Sequence, residues 1–133
     1  MPLNGECLCG ATKIVVDAEF DSQIVCHCTD CRQTSGSAFS TNILAPQKSV
    51  TITGPTKTYD RKAASGNTVS RIFCGECGSA ISHKSVVFGE AQAIQTGNFA
   101  AFAKIPIGTE LFVKDRWTGL APVAGAAQVQ AMP

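Results

Sequence analysis

No stretch of this chain approaches the roughly 20 consecutive apolar residues that a membrane-spanning helix requires, so a helical membrane protein is excluded. Charge is sparse as well: Asp, Glu, Lys and Arg supply 16% of the 133 residues, and the formal net charge is +1. Nucleic acids and anionic membrane surfaces are drawn to concentrated positive charge. No Lys/Arg cluster is present, so neither is an expected partner. Internal repeats and domain-dividing linkers are missing too. With 44% hydrophobic residues, the chain reads as one globular domain able to bury a core. We expect that domain to span residues 1–120, with the small residues, Gln and Pro of 121–133 forming a loosely packed or frayed tail. The opening Met1-Pro2-Leu3-Asn4-Gly5-Glu6 lacks the basic segment and apolar run of a secretory signal, so the expected setting is the cytoplasm.

What is abundant is cysteine. Seven residues fall in three tight clusters: Cys7-x-Cys9, Cys26-x-Cys28-x-x-Cys31 and Cys74-x-x-Cys77-Gly78. A disulfide framework fits them poorly. It belongs to oxidising compartments, cysteines one residue apart bridge badly, and an odd count strands a thiol. A thioredoxin-like reading can lean only on Cys74-Gly75-Glu76-Cys77, without the strand–helix context that motif requires. Thiolates at such spacing are zinc ligands. Two complete tetrahedral sites would need eight, so seven thiolates imply one closed site and one that is a ligand short. A closed zinc site is structural, whereas three protein ligands leave a position for water or substrate.

The periodicity elsewhere predicts a mainly β fold. Short β-branched or alternating segments run over Ala11–Ala18, Ser22–Cys26, Ala38–Ala45, Ser49–Thr53 and Asn67–Phe73, then Ser79–His83, Ala91–Thr96 and Leu111–Val113. Val69 and Arg71 alternate against Ser70 and Ile72, while Gly54-Pro55 and Ser65-Gly66-Asn67 read as turns. One short helical turn is expected around Thr29–Thr34, capped by Thr29 or Asp30, carrying Cys31 and ended by Gly36.

Cys74-x-x-Cys77-Gly78 forms a knuckle that points two sulfurs at one metal and must borrow two more. Cys7-x-Cys9-Gly10 can supply them, leaving Cys26, Cys28 and Cys31 as a self-contained trio. Spacing alone also permits other partitions, such as Cys7 joining the trio.

The order Gly5-Glu6-Cys7-Leu8-Cys9-Gly10-Ala11, Cys26-His27-Cys28-Thr29-Asp30-Cys31-Arg32 and Ser35-Gly36-Ser37-Ala38-Phe39 resembles the glutathione-dependent formaldehyde-activating enzyme family. The resemblance continues through Arg71-Ile72-Phe73-Cys74-Gly75-Glu76-Cys77-Gly78-Ser79 and Gly97-Asn98-Phe99 to Trp117. Centromere protein V is similar in the same domain. The resemblance implies a β-tent of antiparallel sheets pinned by a structural zinc on Cys7, Cys9, Cys74 and Cys77. It also implies a catalytic zinc on Cys26, Cys28 and Cys31, and hence two zinc ions per chain. The implied activity is carbon–sulfur lyase chemistry, the formation or cleavage of an adduct between glutathione and formaldehyde. The match is looser over Glu110–Trp117. A lyase or isomerase acting on another carbonyl compound is the alternative within enzymes, and a zinc-stabilised interaction module is the alternative outside them.

Among the remaining side chains, Arg32 follows the last ligand and could anchor a substrate carboxylate. A salt bridge or a hydrogen bond to the ligand turn is the competing role. His27 lies between two ligands, so alternation turns it away from the metal toward packing, with proton shuttling as the rival role. Ser35, Gly36 and Phe39 are candidates for the site mouth. His83 and Trp117 have no motif partner and are read as core or rim packing.

Overall fold

The computed structural model describes residues 2–131 and is mainly β. In chain order the elements are β1 (Leu3–Glu6), β2 (Lys13–Val16), β3 (Gln23–Cys26), α1 (Thr29–Ser35), β4 (Ser40–Pro46), β5 (Val50–Thr53) and β6 (Thr56–Lys62). They continue with β7 (Thr68–Cys74), β8 (Ala80–Ser85), β9 (Ala91–Gln95), β10 (Ile107–Leu111) and β11 (Ala127–Val129), joined by short 3-10 turns. Three strands form one open sheet in the order β1-β2-β5. The other eight form a second, in the order β11-β10-β3-β4-β9-β8-β7-β6.

Alternation positions the core. Ile14 and Val16 of β2, Ile43 and Ala45 of β4, Ile81 of β8 and Ile94 of β9 each turn a branched or small side chain inward, where Phe99 and Phe102 pack edge to face. Cys7 and Cys74 belong to the same buried cluster, so one cysteine group is built into the margin of the core. Every residue of β6 is exposed. This edge strand carries Lys57, Arg61 and Lys62, charges that discourage pairing with another chain.

Three strands escape the periodicity. β1 contains Asn4 and Gly5, β6 has no buried face, and β11 lies in the tail expected to pack loosely. Much of that tail is exposed, but Ala127–Val129 pairs in parallel with β10, and residues 132 and 133 fall outside the described range. The sheets are antiparallel except at β10, which runs parallel to both β3 and β11. A parallel partner needs a long connection, and the 3-10 turns and strands between residues 26 and 107 provide it. The strand expected over Leu111–Val113 instead ends at Leu111, because Phe112 adopts a left-handed backbone with φ 56°. The helix cap also differs: Cys28 occupies the N-cap, and its Sγ accepts from the Cys31 N–H at 3.3 Å. A ligand sulfur thus does what a Thr or Asp oxygen ordinarily does.

The two sheets meet at the Gly54-Pro55 turn. The Pro55 carbonyl accepts from Thr12 Oγ1 at 2.8 Å and from the Gly75 N–H at 2.9 Å, tying together the segments that carry Cys7 and Cys74. A Cβ on Gly54 would lie 2.2 Å from the Ala11 carbonyl oxygen and φ there is +110°, whereas Gly66, at φ +90°, has nothing within 4 Å of the corresponding position. Gly66→Ala should therefore cost about 1 kcal/mol, from backbone strain alone, and Gly54→Ala about 3 kcal/mol. Urea denaturation of the two variants checks this, and equal losses would mean that the close approach is not a constraint.

Candidate functional site

Two groups of sulfurs converge, in the four-plus-three arrangement. Cys7 and Cys9, after β1, meet Cys74 and Cys77, at the end of β7, with all four Sγ atoms within 4.8 Å of one another. Cys7 Sγ and Cys9 Sγ are 3.6 Å apart, and Cys9 Sγ and Cys74 Sγ 3.8 Å. A tetrahedron with Zn–S bonds of about 2.3 Å has edges of about 3.8 Å, so the spacing suits zinc. Donors already point at the sulfurs: Thr12 N–H at Cys7, Glu76 N–H at Cys74, and the Ser79 hydroxyl, 3.2 Å from Cys77. The Ser79 hydroxyl and backbone N–H hold the Cys77 thiol down at about 5. At Cys9 the Ala11 N–H pulls the same way, but burial and the three neighbouring sulfurs override it and push the thiol up to about 12. Ser79 Oγ also accepts from the Leu8 N–H at 3.1 Å, stitching the two knuckles together.

The second group is Cys26 at the end of β3, Cys28 at the helix cap and Cys31 in the first turn of α1, their sulfurs again within 4.8 Å. Hydrogen bonds from the Cys26 and Cys28 thiols hold Cys31 down at about 3, with help from Ser40 and the Arg71 charge. The same bonds, with burial, push Cys26 far above the ordinary thiol range. Three sulfurs this close hold protons between them, and a soft divalent cation would take the place of those protons, so the donor set fits zinc here as well.

Of the two groups, the trio is the one that lines a cavity. A cavity of about 680 Å³ is lined by Cys26, Cys28 and Cys31, while the four-cysteine group lies outside its wall. Ile24, Leu44, Val69, Phe88, Leu111 and Phe112 supply an apolar surface, and Arg61, Arg71 and Lys114 supply positive charge. Arg61 is engaged by Asp30 at 3.6 Å, and Arg71 reaches Thr34 Oγ1 at 3.4 Å. Phe112, the one non-glycine residue with positive φ among those described, is a wall residue.

The other expected residues are placed as follows. Arg32 is not part of the cavity wall. Its guanidinium donates to the Asp115 carbonyl at 3.1 Å and to Thr29 Oγ1 at 3.3 Å, and stacks over Trp117 with 5.9 Å to the ring centroid. Trp117 is thereby a half-exposed cover rather than core. The Ser35 hydroxyl closes α1 by donating to the Cys31 carbonyl. Phe39 packs edge to face on His27. His27 turns away from the cavity into the interior, where its Nε2 lies 2.8 Å from Glu110 Oε1 and its buried Nδ1 has no partner among the described residues.

Glu110, Arg71 and His83 gained no role from motifs. Glu110 is 2% exposed and accepts from the Val123 N–H and from Gln128 Nε2, with Arg116 3.5 Å away. Burial alone would raise its pKa. The Gln128, Val123 and His27 bonds and the Arg116 charge outweigh that and hold the carboxyl at about 2. Arg71 was within reach of the alternation, since Val69 and Arg71 share a face of β7 and both line the cavity. His83 follows by register, as the residue of β8 directly opposite Arg71.

The family model described as glutathione-dependent formaldehyde-activating enzyme matches residues 2–115. No curated protein sequence matches the chain. A crystal structure of a Rhodobacter sphaeroides protein is similar with a TM-score of 0.61 and 18% identity, over 79% of this chain and 99% of its own, a likeness of fold. Among the described residues no helix is long and apolar enough to cross a membrane.

The Glu110 network makes stability depend on pH. Its folded pKa, about 2, lies below the ordinary 4.5, so the stabilisation is whole above about pH 4.5 and drains away as pH falls toward 2. Glu110→Gln should lose about 3 kcal/mol at pH 7 relative to the parent, and the gap should shrink by pH 3. Denaturation of both proteins at each pH measures it, acid effects common to the pair cancelling. A gap independent of pH would remove the ionised network as the cause.

Proposed function

We propose, from the premise that the chain belongs to the glutathione-dependent formaldehyde-activating enzyme family, that it is a zinc-dependent carbon–sulfur lyase that joins glutathione to an aldehyde or cleaves the adduct. In this reading residues 1–120 form a cytoplasmic β-tent domain with residues 121–133 as an appended tail. Cys7, Cys9, Cys74 and Cys77 hold a structural zinc, and Cys26, Cys28 and Cys31 hold the catalytic one. The observation that carries the division is that the trio alone lines the cavity of about 680 Å³.

Cys26, Cys28 and Cys31 would hold the zinc, which would supply a lowered pKa to a bound thiol or water and so an anionic nucleophile at neutral pH. The protein's own side chains do the rest. Arg71 and Lys114 offer the charge that the glutathione carboxylates need, a task that Arg32 cannot serve while it is bound to Asp115 and Trp117. The apolar wall excludes water, which strengthens each polar contact within it. In the addition, sulfur bonds to the carbonyl carbon, the π pair moves to oxygen, and the proton lost by the thiol is returned to that oxygen. Cleavage is the reverse.

The breadth of the apolar wall favours a second reading at the same site, a carbonyl compound larger than formaldehyde. Leu44, Val69 and Phe88 would have nothing to pack against in a one-carbon substrate.

Replacing any of Cys7, Cys9, Cys74 or Cys77 by Ser should destabilise the fold, because binding energy at a structural site is folding energy. Replacing Cys26, Cys28 or Cys31 should release one zinc equivalent and leave melting nearly unchanged. Elemental analysis and thermal melts of the seven variants test the partition, and equal melting losses in both groups would overturn it. With its exchangeable position, the trio should also yield its metal first to a mild chelator, leaving folded protein with about one zinc per chain.

Glutathione should bind the fully loaded protein by calorimetry, more weakly after Cys28→Ser or Cys31→Ser. Adduct formation should exceed the fast uncatalysed background only when the trio is intact. Absence of glutathione binding would discard the named reaction and leave the metal assignment standing.

A further inference from the structure

His83 is 7% exposed and lines the same cavity as the trio. Its ring is held on two sides. Phe88 packs against it edge to face at 5.6 Å, and Gln95 Nε2 lies 3.2 Å from His83 Nδ1. The same Gln95 amide donates to Asn42 Oδ1 at 2.8 Å, and Asn42 Nδ2 donates to Ser40 Oγ at 2.9 Å. That chain fixes the direction of every bond: the Gln95 N–H donates, so Nδ1 must accept and the ring proton sits on Nε2. Burial and the Arg71 charge lower the His83 pKa to about 4, against an opposing pull from Cys28, so the imidazole is neutral at physiological pH. Nε2 has no hydrogen-bond partner among the described residues and is not sealed from the cavity.

A buried imidazole with one nitrogen satisfied and an N–H left over, in the wall of the cavity that the trio also lines, is a donor awaiting an acceptor. We propose that His83 is a catalytic residue whose neutral Nε2–H donates to the carbonyl oxygen of the substrate and to the oxygen of the adduct; this rests on the addition chemistry proposed above. The role suits a neutral ring. An imidazolium would surrender its proton to the thiolates, whereas neutral imidazole is too weak an acid to do so and still stabilises the alkoxide that forms. The proton that completes the adduct comes back from solvent, where ionisation of the thiol released it. The electron count therefore closes without another reactant. Gln95 acts through His83 as a positioning residue.

Two substitutions separate shape from hydrogen bonding. In zinc-loaded protein with glutathione and formaldehyde, His83→Phe should lower the catalysed rate above background about 10²-fold, the usual loss of one oxyanion donor. Glutathione affinity should be unchanged. His83→Gln, whose amide N–H reaches toward the position of Nε2, should recover about tenfold of that loss. Independently, nitrogen NMR of the parent imidazole should show Nε2 protonated and Nδ1 bare between pH 6 and 8, with the Hε2 signal moving downfield on addition of acetamide as a non-reacting, non-chelating carbonyl probe. A folded His83→Phe variant with the parental rate overturns the proposal, as does an Nδ1–H tautomer. If the parent shows no catalysed rate, the reaction class fails and the probe decides: a shifted Hε2 supports the donor role and an unmoved one rejects it.

Discussion

Sulfurs brought within 4.8 Å of one another cannot all ionise unless a cation lies among them. Much of the architecture follows from meeting that condition twice. At the first group, the Thr12 and Glu76 backbone N–H groups and the Ser79 hydroxyl supply partial positive charge, and the Pro55 carbonyl, which accepts from the Thr12 hydroxyl and the Gly75 N–H, clamps the two contributing segments. The group then closes upon itself at the margin of the core. At the second, helix α1 is organised around its sulfurs, with Cys28 as the cap and Cys31 one turn later. Three sulfurs leave one side unfinished, and that side is where the cavity lies.

Behind the trio a different electrostatic device fixes the loop. His27 faces inward because neighbours in an extended segment alternate, and what receives it is a buried carboxylate rather than an apolar pocket. Glu110 gathers the His27 ring, the Val123 N–H, the Gln128 amide and the Arg116 guanidinium, and so joins the ligand loop, β10 and the tail. A charge so well partnered is retained on folding where a lone one would not be. Removing any one partner leaves the others facing an incompletely satisfied group.

How much of this was readable in the residues depended on the range of the determining interaction. The cysteine groups, the strands around Val15, Ile43 and Ile94 and the turn at Gly54-Pro55 announce themselves within a few positions. β6 did not, because a strand exposed on both faces has no hydrophobic period, and β11 did not, because its place depends on β10 and on Glu110. The sequence points to Thr29 or Asp30 as the cap of α1 because an oxygen is the usual acceptor there, whereas Cys28 Sγ takes the position. Arg32 is adjacent to a ligand in the chain yet is drawn outward by Asp115 and Trp117. Arg71 and His83 are distant from the trio in sequence and reach the cavity through the pairing of β7 with β8. Alternation could have placed each on a face of its own strand. Which sheet face becomes the cavity wall is a tertiary fact.

The parallel pairing of β10 has a bearing on the order in which the chain assembles. β3 and its neighbours β4, β9, β8 and β7 are complete by residue 95, whereas β10 arrives from residues 107–111 and must slot beside β3 across a long sequence separation. Closing so large a loop is slow relative to forming hairpins, and during synthesis β10 emerges after every other strand of its sheet except β11. Until then the strand end bearing Cys26 lacks the Leu111 and Phe112 wall and stands open to solvent. A cation that the trio could hold would therefore have a window in which to enter directly from solution, before β10 turns an exposed sulfur cluster into the back of a pocket.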